Sequence, residues 1–330
     1  MSLNPLCYLA GDDVRQALPM ADAIDAMREA FTQLAAGAAS MPPRIRLELP
    51  EVDGLVLLMP CRAAGLQRMS LKIVHQFAHN RAVGLPLLQA LVLLADATNG
   101  QLLALLDGAA LTAIRTGAAS GVATQLLARA DADTAAIFGS GVQARTQLEA
   151  ICSVRPVRRA RVFDQDPAGA AKFAAEMTAR LGVAVEPAAS PVQALAGARI
   201  VCTATTSSTA VFEDRDLAPG AHINAVGSWR PTTTEIAADT VARARVFVDQ
   251  REAALEEAGD LILPLRAGRI MPEHVRQELG DLLTGTARGR QNPEEITLFK
   301  SVGLAVQDLF AAARALANAR RLGLGMELPR

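Results

Sequence analysis

The sequence predicts an α/β protein, a doubly wound parallel sheet joined to a second, α+β domain. Three observations carry this. Residues 134–166 read as strand, glycine turn, helix and second strand closing on an acid. From residue 134 onward, short apolar runs alternate with helical segments, the pattern of a parallel sheet with right-handed crossovers. Before them, residues 41–106 hold alternating or apolar runs split by Gly and Pro, the pattern of antiparallel strands. A chain of 330 residues can bury two sizeable cores.

The elements follow in order. Residues 12–36 carry helical periodicity, with Ile24, Met27, Phe31 and Leu34 on one face. Strands are expected at Ile45–Leu49, Leu55–Met59, Ser70–Val74 and Gln89–Leu94. Asn99-Gly100 lies between the apolar runs Leu91–Ala95 and Gln101–Leu106 and marks a hairpin. A helix from about Ala109 to Arg129 carries the chain into the second domain. Strands at 134–138, 160–164, 183–186, 199–203, 222–226 and 245–249 come next. Asp166-Pro167 and Ser190-Pro191 each set an N-cap before a first-turn proline. Leu298–Leu322 reads as one long Ala/Leu-rich helix beyond the last strand of the parallel sheet, returning to the first domain. The domains are therefore expected to be 1–116 with 303–330, and 117–302.

Composition narrows the function. The formal net charge is −1, which gives no electrostatic footprint for nucleic acid. Hydrophobic residues make up 51% but aromatics only 3%, so the cores must be aliphatic. Cys7, Cys61, Cys152 and Cys202 show neither zinc nor disulfide spacing; no metal is expected, and reduced thiols fit a cytoplasmic enzyme. The first residues lack the basic and apolar regions of a signal peptide. The most apolar stretch, Leu85–Ala95, is too short to span a bilayer.

The chemistry is densest around Gly139. Gly139, Gly141 and Ala144 form a G-x-G-x-x-A turn after the apolar run 135–138. Gly139 allows a tight backbone, Gly141 lets a pyrophosphate approach, and Ala144 lets helix pack on strand. The helix start offers free N–H groups to phosphate. Asp164, at the end of the next strand, can accept hydrogen bonds from an adenosine ribose. An Ala/Gly-rich helix packed on a sheet would carry the same glycines, but strand, turn, helix and acid together point to a Rossmann dinucleotide domain. A substrate is then expected between the domains, at the strand C-termini. Arg44, Arg46, Lys72 and Arg115 lie in apolar or strand-like stretches of the first domain. They form either an anion pocket for a substrate carboxylate, or internal salt bridges or a solvent-facing strand side. His75 and His79, in a loop expected after a strand, read as surface residues rather than metal ligands. Cys202 reads as a buried thiol, and Trp229 as a packing residue or a pocket wall.

Four runs are similar to the ornithine cyclodeaminase/mu-crystallin family: Met59-Pro60, Asp107-Gly108 through 111–121, residues 135–144, and residues 296–308. They stand in family order and cover nearly the whole chain. The resemblance implies a homodimer whose first domains join their sheets in a shared β-barrel. It maps the substrate carboxylate onto Arg44, Lys72 and Arg115. It maps the cofactor onto Thr116, the turn Gly139, Ser140, Gly141, Val142 and Gln143, then Asp164, Thr203-Ala204-Thr205, Val226-Gly227 and Ser301-Val302, with Gly303 beside the substrate.

One departure bears on the reaction. The family's cyclodeaminases carry an Asp where Trp229 stands here, and a second acid where Leu57 stands. Without both, a basic ω-amine loses charged hydrogen bonds of about 1.5–3 kcal/mol each. The run Gly227-Ser228-Trp229-Arg230-Pro231 resembles the family's ketimine reductases instead. That implies NAD(P)H-dependent reduction of a cyclic 2-imino acid to L-proline or L-pipecolate. Arg115 and Arg44 would hold the carboxylate, Lys72 would contact it or relay a proton, and Met59 and Trp229 would wall the ring. Ornithine cyclodeamination, an alanine or opine-type dehydrogenase, and a non-enzymatic small-ligand binder remain the alternatives. Asp164 favours NAD(H), with NADP(H) possible because Arg158, Arg159 and Arg161 lie just upstream.

Overall fold

A computed structural model describes residues 5–329; Met1–Asn4 and Arg330, the outer limits of the expected first domain, lie outside the described residues. The chain opens with β1 (Leu6–Leu9), α1 (Gly11–Ala17) and α2 (Met20–Ala35). Pro19, which cannot donate a backbone hydrogen bond, divides the helical stretch expected at 12–36 into these two helices. Next come β2 (Ala39–Ser40), β3 (Ile45–Leu49), β4 (Gly54–Ala63), β5 (Arg68–Phe77), β6 (Leu88–Asp96) and β7 (Leu102–Asp107). The hairpin turn at Asn99-Gly100 is present, with Gly100 at φ 76°. α3 (Gly108–Leu127) follows.

The α/β part begins with β8 (Thr134–Phe138), α4 (Val142–Val154), β9 (Arg159–Phe163), α5 (Pro167–Leu181), β10 (Ala184–Pro187) and α6 (Pro191–Leu195). It continues with β11 (Ile200–Thr203), β12 (His222–Ala225), α7 (Ala238–Arg243), β13 (Arg245–Val248), α8 (Arg251–Glu257) and α9 (Gly259–Arg266). β14 (Gln277–Glu278), α10 (Leu279–Thr284) and β15 (Thr297–Lys300) complete it. α11 (Ala305–Leu322) and β16 (Met326–Leu328) end the described chain. The single helix expected at Leu298–Leu322 is thus corrected. Residues 297–300 form a strand, residues 301–304 a loop, and the helix starts only at Ala305.

The chain divides into two units, one running to Arg115 and resuming at Leu304, the other Thr116–Gly303. In the first, an open sheet runs β16-β1-β7-β6-β5-β4-β2, with β3 also paired to β4. β4, β5, β6 and β7 are antiparallel neighbours, and Met59, Lys72 and Val92 lie opposite one another across three of them. Period-2 alternation gives this sheet two faces. The inner face carries Leu57, Met59, Cys61, Ser70, Lys72, Val74, Val92 and Leu94, all buried, and α11 packs against β4, β5 and β6. The outer face carries Val56, Leu58, Leu71, Ile73, Leu91 and Leu93, which are half-buried or exposed.

The second unit is a parallel sheet ordered β10-β9-β8-β11-β12-β15-β13-β14. Its first five strands in space follow the doubly wound order, with chain reversal between β8 and β11. β15, late in sequence, pairs with both β12 and β13. All four of its residues are buried, so it lies fully inside the sheet. Aliphatic and Phe side chains fill both faces, with Phe138 and Val201 in one cluster and Ile137 and Phe173 in the other.

Candidate active site

The first unit contains a buried charged group on the inner face of its sheet. Lys72 lies mid-strand in β5, and Lys72 and Arg115 are 1% and 5% exposed. Each reaches the same carboxylate. Lys72 Nζ lies 2.7 Å from Asp308 Oδ2, and Arg115 Nε donates to Asp308 Oδ1 at 3.1 Å. Asp308 is in the first turn of α11, where the helix dipole favours an anion. Gln307 Oε1 accepts from Arg115 Nη1 at 2.8 Å and from the Leu304 amide at 2.8 Å. With Lys72 protonated, two cations share one carboxylate and the buried group holds a surplus positive charge. Burial costs an unpaired charge heavily, so a further anion is the natural complement. Of the readings of Lys72 and Arg115, the structure shows the internal salt bridge, and with Lys72 protonated that bridge is under-neutralised.

Lys72 is held down at a pKa of about 7. Burial is the main cause; the charges of Arg115 and Arg44 add to it, and Asp308 opposes it. Arg44 is half-buried just before β3. Met59 faces inward opposite Lys72, with Leu57 and Cys61 on the same side of β4. The Cys61 thiol is pushed up to about 12 by burial and by Asp308, so it is an inert neighbour. Arg46 is exposed, 3.8 Å from Glu48. His75 is an exposed position within β5 rather than in a loop after it, and His79 is exposed as well.

In the second unit, the glycine turn joins β8 to α4. Gly139 has φ 98°, and a Cβ there would stand 2.6 Å from the Ala204 carbonyl oxygen. Only glycine fits where the loops after β8 and β11 come together. At Gly141 a Cβ would meet nothing within 4 Å, which leaves the open approach a pyrophosphate needs. Val142 and Gln143 begin α4, where first-turn N–H groups lack intrahelical partners. Asp164 Oδ2 accepts from both N and Oγ of Ser140 at 2.7 Å, and Oδ1 accepts from the Asp166 amide at 2.9 Å. Asp164 therefore braces the turn as well as closing β9. Thr116 accepts from Gln147 Nε2 at 3.3 Å, and Gly117 packs so closely on Thr146 that a Cβ would come within 2.5 Å of its carbonyl oxygen.

Three buried acids organise the remaining loops. Glu235 accepts from Thr203 Oγ1 (3.1 Å), Thr205 N and Oγ1 (both 2.7 Å), Gly227 N (2.7 Å) and Ser228 N (3.1 Å). It thereby ties the loop after β11 to the loop after β12, while the Val226 amide donates to Thr203 O at 3.0 Å. Burial and Asp260 push the Glu235 carboxyl up; Lys300 and the Thr205 donors counter them. Asp260 Oδ1 receives the amides of Glu235 (2.6 Å) and Ile236 (3.0 Å), and its Oδ2 pairs with Lys300 Nζ at 2.7 Å. Asp249 Oδ2 gathers Ser301 Oγ, Val302 N and Gly303 N at 2.8–2.9 Å. Trp229 is half-buried against the core, with the Arg230 guanidinium 5.4 Å from its ring centroid. Cys202 is a buried core thiol at a pKa of about 12, raised by burial.

The expected residues thus fall into two groups. Met59, Lys72 and Arg115 stand together in the first unit. Gly139–Gln143, Asp164, Thr203–Thr205, Val226 and Gly227 gather at the C-terminal ends of the second unit's strands. Gly303 and Trp229 belong to that unit too. Asp308, Gln307, Glu235 and Asp249 were not singled out from sequence. The signal for Asp308 was available, since two cations in apolar strand and helix positions demand an acid.

The model of the ornithine cyclodeaminase/mu-crystallin family matches residues 8–321. The chain belongs to this family. Within it, a Δ1-pyrroline-2-carboxylate reductase of Bacillus cereus is 37% identical over 321 residues, 97% of this chain and 98% of that protein. The structure of Thermococcus litoralis Δ1-pyrroline-2-carboxylate reductase in complex with NADH and L-proline superposes with TM-score 0.95. It is 39% identical and covers 98% of this chain and 100% of that one. An archaeal alanine dehydrogenase dimer with bound NAD matches at TM-score 0.91 and 31% identity, covering 98% of each chain. Among the described residues, no helix of this family member is long and apolar enough to cross a membrane.

Proposed function

We propose that the protein is a ketimine reductase. It reduces Δ1-pyrroline-2-carboxylate or Δ1-piperideine-2-carboxylate to L-proline or L-pipecolate. The observation that carries this reading is the under-neutralised buried group of Lys72, Arg115 and Asp308, in a chain similar over its whole length to reductases of that name. A substrate carboxylate completes the charge of the group. Arg115 offers a planar fork to it, and Arg44 adds a second guanidinium. With a pKa near 7, Lys72 is present at neutral pH in both protonation states. It can hold the imine nitrogen protonated, and an iminium is the better hydride acceptor. Met59, opposite Lys72, supplies apolar surface for the ring. Bound NAD(P)H supplies the hydride.

In this reading the first unit is the substrate and dimerisation domain, roughly 1–116 with 303–330, and 117–302 binds the cofactor. NADH is the preferred donor. A 2′-phosphate beside the Asp164 carboxylate would be repelled by about 4 kcal/mol at ~4 Å and an effective dielectric of ~20, less with salt. The upstream arginines do not offset this. Arg159 and Arg161 reach toward Glu186, and Arg161 also donates to the Ala196 carbonyl. Arg158 precedes β9, at the end remote from Asp164. The outer sheet face of the first unit joins that of a second copy, giving a homodimer.

The test is an oxidation panel for NADH and NADPH with both cyclic imino acids, pyruvate plus ammonia, pyruvate plus methylamine, and an ammonia-release assay on L-ornithine. Cyclic imine reduction, faster with NADH and without ornithine deamination, is expected. Robust proline and ammonia formation from ornithine would overturn the reading.

A further inference from the structure

Among the described residues, Lys72, Arg115 and Asp308 are the buried charged side chains of the first unit. Two are cations and one is an anion. Gln307, the neighbour of Asp308 on α11, also touches Arg115 but is neutral. Its Oε1 accepts from Arg115 Nη1 and from the Leu304 amide, which fixes the orientation of the side-chain amide. Its Nε2 is then buried without a hydrogen-bond partner among the described residues. The buried group thus carries a surplus positive charge when Lys72 is protonated, and Gln307, in contact with Arg115, carries a spare N–H donor; an acceptor anion answers both.

We infer that Asp308 sets the charge selectivity of this clamp and restricts it to ligands with one carboxylate. The inference rests on the reading of Lys72 and Arg115 as a carboxylate clamp. With Lys72 protonated, and with the charge of half-buried Arg44 screened by solvent, a monoanion brings the buried group to neutrality. A dianion leaves a negative surplus, as costly to bury as the cation it replaces. Asp308 acts through Lys72 and Arg115, so it is a positioning and specificity residue. Its neighbour gives a graded series. Asp308→Asn keeps the shape and removes one negative charge. Gln307→Glu keeps both of its donors and adds one negative charge. Arg44 is common to every variant, so its contribution cancels in the comparison.

The experiment is calorimetric titration of the full chain with pyrrole-2-carboxylate, a monoanion, and with inorganic sulfate, a dianion. Relative to wild type, Asp308→Asn should move the ratio of the two dissociation constants toward sulfate by about tenfold or more. Asp308→Glu, which keeps the charge, should hold the wild-type ratio. Gln307→Glu should weaken pyrrole-2-carboxylate binding by about tenfold or more. A folded Asp308→Asn chain with the wild-type ratio overturns the inference. If that variant does not fold, unchanged pyrrole-2-carboxylate binding by Gln307→Glu overturns it instead. The two readings separate cleanly. Failure of imine reduction with the charge series intact removes the reductase and leaves the clamp. Imine reduction with a flat charge series does the reverse.

Discussion

In the proposed reduction, the chemistry turns on Lys72. Its ammonium is held near pH 7 by burial and by two guanidinium neighbours, against the pull of Asp308. As the proton source for the imine, it must be charged. The kcat/KM for imine reduction should therefore hold below pH 7 and fall as pH rises through about 7, since this parameter reports the free enzyme. A profile flat from pH 6 to 9 would remove Lys72 from that role. Arg115 is read through the carboxylate. Arg115→Ala should lower kcat/KM by about 2–5 kcal/mol, the cost of truncating one partner of a buried charge pair, and leave NADH binding nearly unchanged. Near-normal turnover would make Arg115 structural only. The sequence made both residues legible, because charge in an apolar strand or helix is conspicuous. That an acid must answer them was legible as well, but not that Asp308 supplies it, and Glu235 was not legible at all. Acids are frequent at helix starts and in loops, and only the fold brings these two to their donors.

Among the elements, the glycine turn was readable and the late strand was not. Gly139 needs positive φ and an approach to the Ala204 carbonyl that no Cβ permits. Gly139→Ala is expected to weaken NADH binding at least tenfold by fluorescence titration, with the far-ultraviolet circular dichroism of the sheet retained. Normal affinity would show that the turn tolerates displacement. Residues 297–300 were read as helix because a four-residue run buried on all sides carries no period. The loop Ser301–Gly303 then looked like part of the helix that follows. Its true anchor is Asp249 at the end of β13, a contact between residues about fifty positions apart. The short strands β1 and β16 escaped for a related reason, since their partners are each other and β7.

For the whole molecule, two expectations follow from what is buried and what is not. The aliphatic outer face formed by Val56, Leu58, Leu71, Ile73, Leu91 and Leu93 predicts a dimer at micromolar concentration by light scattering. Leu58→Glu with Ile73→Glu should yield monomers; a wild-type monomer would count against the assembly. Acid stability depends on His222, fully buried at a pKa of about 3, with burial the main cause and Arg290 adding to it. Its Nε2 meets Asn224 Oδ1 at 3.2 Å and its Nδ1 meets Thr297 Oγ1 at 2.9 Å. The unfolded chain binds this proton near pH 6.5 and the folded chain does not. The stability contribution is therefore complete above pH 6.5 and is lost as pH falls toward 3, by about 1.4 kcal/mol per unit. His222→Gln should flatten the dependence of the unfolding midpoint on pH in that window. An equal slope in both proteins would assign acid lability elsewhere.

The shared carboxylate under the first unit's sheet also sets a trade between endurance and activity. An ion group of this kind is a poor way to hold a core together, and apolar residues of similar volume often stabilise by about 1–4 kcal/mol in its place. A chain carrying Lys72→Met, Arg115→Met and Asp308→Leu should melt no lower than the parent, and higher if the new side chains pack well, while turning over nothing. Selection for thermal robustness alone would therefore erode this site first, and a heat-tolerant variant recovered without an activity screen should be sequenced at these three positions before any other.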